Sequence, residues 1–98
     1  MSDKLMIDTE EWVRQMQSAG VTATSYAMDI IFTVWFPGKE PLVIDEEAII
    51  RHLNKIFTRR DHTVEGFRQH RQQIETFFTV LPDGRWVPNP RIFGVDEA

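Results

Sequence analysis

The spacing of hydrophobic residues along the chain predicts a series of helices, the first over residues 9–19. Asp8 and Glu11 have the spacing of a capping box, in which the Asp8 carboxylate caps the helix start. Apolar residues then recur every three or four positions until Gly20, a residue typical of helix ends. This segment therefore predicts an amphipathic helix with one face on the core.

The second predicted helix is apolar on almost every side. It starts near Thr22 or Thr24 and runs to the helix-breaking pair Pro37-Gly38. Its only polar strip is formed by Asp29 and Thr33. A helix with so few polar positions has to be surrounded by protein, so we expect it at the centre of the fold.

A third helix is predicted over residues 46–57, after a short apolar run at residues 41–44. Asp45 can cap it, and the acids of its first turn are favoured by the helix dipole. Arg51 and Lys55 point away from the core. The predicted apolar face is formed by Ile49, Ile50, Leu53, Ile56 and Phe57.

The fourth predicted helix covers residues 63–76 and is capped by Thr63 or Asp61. Arg71 lies on its buried stripe, four residues before Glu75, so we interpret it as a structural residue whose guanidinium pairs with Glu75. The stripe itself is formed by Val64, Phe67, Ile74 and Phe78.

A β-hairpin ends the predicted order of elements. Residues 77–81 and 85–87 are short strands around Pro82-Asp83-Gly84, in which proline presets φ and glycine permits positive φ. The elements together predict a mainly α domain with a small β-hairpin, of the α+β class and similar to a winged helix-turn-helix. We expect one domain over residues 1–98, with residues 1–6 and 94–98 flexible.

Charge and composition narrow the classes of function. The net charge of −4 divides into −6 over residues 1–47, +4 over residues 48–71 and −2 over residues 72–98. An acidic chain is a poor indiscriminate binder of nucleic acid, but its basic middle segment can contact phosphates. The alternative is a solvated basic face balanced by acidic neighbours.

The cellular setting is indicated by what the sequence lacks. There is no cysteine, which removes the thiolate zinc sites and any need for an oxidising compartment. No apolar run reaches the length of about 18 residues that a membrane span needs, and the first residues lack a signal-peptide pattern. We therefore expect a cytoplasmic protein with no membrane partner.

Several short motifs in the chain are similar to those of a known family. They are the apolar helix 26–36, the segment Pro41-Leu-Val-Ile-Asp45, the pair Phe77-Phe78, and the runs Asp83-Gly84-Arg85-Trp86 and Asn89-Pro90-Arg91-Ile92. Over residues 25–92, about two thirds of the chain, the sequence resembles the YdaU-like proteins, which are encoded in phage and prophage genomes near replication genes. The resemblance implies a winged-helix-like domain in a phage replication or regulatory setting.

In a DNA-binding winged helix, the fourth helix would lie in the major groove and the wing against the backbone. Glutamines opposite the buried stripe can hydrogen-bond adenine edges, and arginines nearby can neutralise phosphates. We predict duplex DNA as the partner, contacted by the residues Gln69, Gln72, Gln73, Arg59, Arg60, Arg68 and Arg85. Such a domain would bind DNA alone or assist a replication or transcription complex.

No catalytic, cofactor or metal site is evident in the sequence. The spacing of His52, His62 and His70 matches no zinc motif, and the glycines are too isolated to form a phosphate loop. We therefore expect no enzyme activity, no cofactor and no small-molecule substrate. The alternative to DNA binding is a protein-interaction module of the same fold, acting through a protein partner, as a homodimer, or as a small inhibitor or adaptor that touches no nucleic acid.

Overall fold

A computed structural model describes residues 3–35, 40–58 and 61–97. Helices account for most of the secondary structure, and two small antiparallel sheets accompany them, which confirms the predicted mainly α fold of the α+β class. The Cα radius of gyration is 13.0 Å, as in compact chains of about 100 residues. No helix in the described ranges is both long and apolar enough to cross a membrane.

The first helix, α1, spans Thr9–Ala19, as predicted. The Asp8 carboxylate accepts a hydrogen bond from the Glu11 N–H at 3.2 Å, which confirms the predicted cap. No residue of α1 is fully buried, but the indole N–H of Trp12 donates to the sulfur of Met28 at 3.2 Å. This helix therefore covers the outside of the core.

The second helix, α2, spans Val21–Ile30 and continues into a π-helical turn, Ile31–Trp35. The predicted start at Thr22 or Thr24 is wrong, because the helix follows Gly20 directly and no side chain caps it. The Thr24 hydroxyl instead donates to the Gly20 carbonyl. The predicted helix end at residues 37 and 38 lies outside the described residues.

Burial confirms that α2 is the central helix. Its side chains are enclosed on several sides, and even Asp29 of the polar strip is buried. The fully or nearly fully buried apolar residues of α2 and the π-helical turn are Ala23, Tyr26, Ala27, Ile30, Ile31 and Trp35.

The third helix, α3, spans Glu46–Ile56, and the Asp45 carboxylate caps it by accepting from the Ala48 N–H at 3.2 Å. Three of its predicted core residues are buried, namely Ile49, Ile50 and Leu53. Ile56 is 51% exposed, so its place on the apolar face was predicted wrongly. It is the last residue of the helix, and the next residue, Phe57, packs against the core instead.

Two short helices replace the predicted fourth helix: α4 spans Val64–Gln69 and α5 spans Arg71–Glu75. The single helix over residues 63–76 is therefore a wrong prediction. The residues between Phe67 and Ile74 are all polar, so no apolar contact with the core holds this stretch straight, and the backbone leaves helical geometry at His70 with ψ of 16°.

The inward orientation of the fourth-helix stripe is nevertheless confirmed. Phe67 and Ile74 have no exposed surface, Phe78 is buried, and Val64 packs against the same core. Of the two predicted caps, Thr63 is the actual one, since its hydroxyl accepts from the Gly66 N–H at 2.9 Å.

The hairpin is confirmed as strands β2, Phe78–Val80, and β3, Trp86–Pro88. Its turn is closed by a hydrogen bond from the Gly84 N–H to the Leu81 carbonyl, with Gly84 at φ 87°. The apolar run at residues 41–44 adds one antiparallel bridge, in which Leu42 and Trp86 exchange hydrogen bonds of 2.6 and 2.8 Å.

The two chain ends form a sheet that the sequence pattern does not predict. Strand β1, Asp3–Ile7, pairs antiparallel with β4, Phe93–Glu97. Ile92 and Phe93 are buried, which confirms that this segment folds back on the body. The flexibility predicted for residues 1–6 and 94–98 stays a prediction, because a strand pair at chain ends can fray.

Candidate nucleic-acid interface

The α4–α5 pair has a polar side opposite its buried seam. Gln69, Gln72 and Gln73 are exposed, whereas Phe67 and Ile74 are enclosed by the core. The glutamines predicted to contact bases therefore all lie on the solvent-facing side of the pair, which we call the glutamine face. Next to this face, the Gln15 amide of α1 donates to the Thr76 hydroxyl at 2.5 Å.

Arg68 lies beside the glutamine face and is 64% exposed. Its Nε donates to Oε2 of Glu46 at 2.5 Å, so the α4–α5 pair is tied to the first turn of α3. The other oxygen of the same carboxylate accepts from Nη1 of Arg71 at 2.8 Å. One acid on α3 thus holds two arginines on the α4–α5 pair.

Arg71 has further contacts that confirm its predicted structural role. Its Nε donates to Glu75 at 3.4 Å, and its guanidinium carbon lies 5.3 Å from the centroid of the Trp86 ring. Trp86 belongs to the hairpin, so Arg71 links α3, α5 and β3. It is a less accessible cation than Arg68, with 40% of its side chain exposed.

Arg85 lies at the end of the hairpin turn and is paired with Asp83. The Arg85 backbone N–H and Nε donate to the two oxygens of that carboxylate at 3.0 and 2.7 Å. These two hydrogen bonds lower the pKa of Asp83 below its ordinary value, and the one from the backbone N–H has the larger effect. Asp83 is half exposed, so this arrangement orders the turn rather than a pocket.

The seven predicted contact residues are therefore only partly assembled. Gln69, Gln72, Gln73 and Arg68 belong to the α4–α5 pair, and Arg85 belongs to the hairpin turn. Arg59 and Arg60 lie outside the described residues. Both described arginines already have a carboxylate partner, which would compete with a phosphate for the guanidinium.

The chain matches no protein-family model, curated protein or solved structure. The resemblance to the YdaU-like proteins therefore stays a prediction.

A buried polar cluster behind the glutamine face is the main feature that the sequence did not predict. Nε2 of His62 lies 2.7 Å from Oδ2 of Asp29, and both side chains are 7% exposed. The Tyr26 ring lies against the imidazole, with the ring centroids 4.3 Å apart. The Asn54 amide donates to the His62 carbonyl at 2.8 Å, so α2 and α3 both hold this loop.

The Tyr26 hydroxyl fixes the start of α4. It accepts from the Thr63 N–H at 3.1 Å, and it lies so close to Gly66 that a β-carbon there would overlap it. Tyr26 therefore requires glycine at position 66 because of space. The only signal for this cluster in the sequence is Asp29, an isolated acid in an otherwise apolar helix.

The cluster has the composition of a structural site. Asp29 and His62 form a pair rather than a metal-binding group, and no set of three or more potential metal ligands occurs within residues 3–35, 40–58 and 61–97. A buried carboxylate and imidazole satisfy each other's hydrogen-bonding needs, which keeps the loop before α4 docked on α2.

Proposed function

We propose that this chain is a non-catalytic, winged-helix-like domain that binds duplex DNA through the glutamine face. The order of elements supports the fold assignment. Helix α2, the Leu42 bridge, helix α3, the α4–α5 pair and the β2–β3 hairpin follow one another, and Leu42 pairs with the second hairpin strand. In a winged helix, a short strand between the first two helices joins the hairpin in the same way.

The observation that carries the proposal is the exposure of Gln69, Gln72 and Gln73 on the α4–α5 pair, which would be the recognition helix of a winged-helix domain. An amide can donate to N7 or accept from N6 of adenine in the major groove, and a pair of such bonds distinguishes adenine from the other bases. Arg68 directly precedes Gln69 and its side chain is mostly exposed, so it could contact phosphates next to the bases that the glutamines would bind. The α4–α5 pair would thus supply both base and backbone contacts.

Affinity in this arrangement comes from a small number of cations. Arg68, Arg85 and the Arg59-Arg60 pair allow about four phosphate contacts, for which log K is expected to fall with log salt with a slope of about −3 to −4. The net charge of −4 opposes binding at longer range. We therefore propose weak, salt-sensitive binding that suits a domain assisting a replication or transcription complex of phage type.

The proposal is tested by fluorescence anisotropy with a labelled duplex at low salt. The combined substitution Gln69→Ala, Gln72→Ala and Gln73→Ala is expected to weaken binding about tenfold or more, since each good base contact is worth about 1–3 kcal/mol. Gln17→Ala is the matched control, because Gln17 is an exposed glutamine on α1. Equal binding by the triple variant and the control, or no binding by the unaltered protein, contradicts the proposal.

The Arg59-Arg60 pair provides an independent arm of the same test. Reversing both charges, Arg59→Glu with Arg60→Glu, is expected to abolish duplex binding at any salt concentration in which the unaltered protein binds. Binding that survives this double reversal would show that the DNA site lies elsewhere on the molecule.

A second candidate function, protein binding, is supported by an apolar groove beside α3. The groove has a volume of about 340 Å³, and Val43 on its edge is 75% exposed. Asp45 is the acid in its lining, so an apolar segment with an adjacent basic residue fits it by charge. The lining residues are Thr33, Val34, Val43, Asp45, Ala48, Ile49 and His52.

Substitution separates this second function from the first. Val43→Asp is expected to abolish binding of peptides with a basic, apolar sequence and to leave duplex binding unchanged. Val21→Asp is the control, since Val21 is equally exposed but lies at the start of α2. If Val43→Asp and Val21→Asp bind such peptides equally, the groove is not the site.

A further inference from the structure

Glu46 occupies an unusual position among the charged residues near the glutamine face. It is on α3, it is only 18% exposed, and its two carboxylate oxygens are taken by Arg68 and Arg71. Arg71 has Glu75 and the Trp86 ring as additional partners. Within the described part of the chain, Glu46 is the only ion-pair partner of Arg68.

We propose that Glu46 competes internally with DNA phosphate for Arg68, so that binding exchanges a carboxylate for a phosphate at this guanidinium. The inference rests on the proposed DNA-binding function of the glutamine face. It adds that the affinity of this face is restrained by a residue on the neighbouring helix, which makes Glu46 a regulatory residue.

The different surroundings of the two arginines determine which one is released. The Arg68 guanidinium is mostly in solvent, where an ion pair is weak and exchanges readily. Arg71 would lose its position over Trp86 and its contact with Glu75 if it moved, so it stays with Glu46. In the complex, Glu46 would keep Arg71 while Arg68 turns toward the phosphate.

The inference predicts that removing the competing charge strengthens binding. Glu46→Gln is expected to lower the dissociation constant for a short mixed-sequence duplex by about two- to fivefold, the amount corresponding to an exposed ion pair. The salt slope should stay unchanged, because Arg68 contacts phosphate in both complexes and the substitution removes only the competing carboxylate.

Glu47→Gln is the matched control. Glu47 is in the same first turn of α3, is exposed, and has no ion pair among the described residues. Glu47→Gln removes the same net charge as Glu46→Gln, so it measures only the long-range electrostatic effect of that charge on DNA binding. It is expected to change the dissociation constant less than twofold. Equal effects of Glu46→Gln and Glu47→Gln would overturn the inference.

A double-mutant cycle tests whether the tighter binding of Glu46→Gln depends on Arg68. In an Arg68→Gln background, Glu46→Gln is expected to lose most of its effect on duplex binding. A full effect in that background would overturn the proposed competition for Arg68. Should Glu46→Gln melt below the assay temperature, Glu46→Asp shortens the side chain while keeping its charge, with Glu47→Asp as its control, and tighter binding by Glu46→Asp alone is the expected result.

The outcomes distinguish this inference from the function on which it rests. If the unaltered protein binds duplex through the glutamines but Glu46→Gln equals its control, the inference fails and the DNA-binding function stands. If neither the unaltered protein nor Glu46→Gln binds duplex at low salt, both fail together.

Discussion

Two carboxylates tie the helices of this protein together, and they do so in opposite surroundings. Asp29 on α2 meets His62 in a site where both side chains are 7% exposed. Glu46 on α3 meets Arg68, whose side chain is 64% exposed. Both contacts position the α4–α5 pair, the first through the loop before it and the second through its polar side.

The difference in burial gives similar chemical groups different roles. Removing one partner of a buried hydrogen-bonded pair leaves a polar atom of the other without a partner or water, which is strongly destabilising. In the second pair Glu46 is only 18% exposed, but the Arg68 guanidinium is mostly in solvent and has water as an alternative partner, so loss of this contact costs little. Asp29 therefore belongs to the framework of the fold, whereas Glu46 is in a position where its partner can be exchanged.

The largest expected effect comes from a pair of matched amide substitutions. Asp29→Asn is expected to lower the free energy of unfolding by about 2–3 kcal/mol, because the buried His62 ring loses the carboxylate that it contacts at 2.7 Å. Glu46→Gln is expected to lower it by less than about 1 kcal/mol. Urea denaturation followed by circular dichroism measures both, and equal losses would remove the distinction between the two regions.

A methyl group at Gly66 tests how closely the buried region is packed. Gly66→Ala is expected to destabilise the fold by about 1–2 kcal/mol, because its overlap with the Tyr26 hydroxyl outweighs the gain in helix propensity. Gly94→Ala is the control, since a β-carbon there meets no atom within 4 Å. Thermal melts compare them, and an unchanged or raised melting temperature for Gly66→Ala would contradict this packing.

The smallest expected effect is on the pKa of Asp83, a carboxylate that is exposed where Asp29 is buried. Since its pKa is lowered in the folded state, the stabilisation it gives is present above the unfolded pKa and is lost as the pH falls through the folded pKa. Arg85→Ala is expected to raise the pKa of Asp83 only in part, because the backbone N–H at position 85 still donates to it. Carboxyl-carbon NMR during an acid titration measures this, and no change in Arg85→Ala would exclude the side-chain contribution.

Features set by neighbouring residues were predictable from the sequence. The caps at Asp8, Asp45 and Thr63 and the turn before Gly84 all depend on side chains within three residues of the backbone that they organise. The exposure of the glutamines follows from helical periodicity, which survives the break at His70.

Features that depend on distant pairing were not predictable in the same way. Asp29 and His62 are 33 positions apart, and Glu46 and Arg68 are 22 apart. The β1–β4 sheet joins opposite ends of the chain. No local pattern specifies such partners, because they depend on how the helices pack. Sequence therefore indicated which residues of the candidate site are exposed, but not which of its cations are already paired.

The central claim is that the glutamine face contacts duplex DNA while the Asp29–His62 pair stays intact. It is tested most directly by NMR of the ¹⁵N-labelled protein titrated with a duplex at low salt. We expect the side-chain amides of Gln69, Gln72 and Gln73 and the Nε of Arg68 to shift, with little change at His62. Shifts confined to the groove around Val43, or none on the α4–α5 pair, would contradict the account.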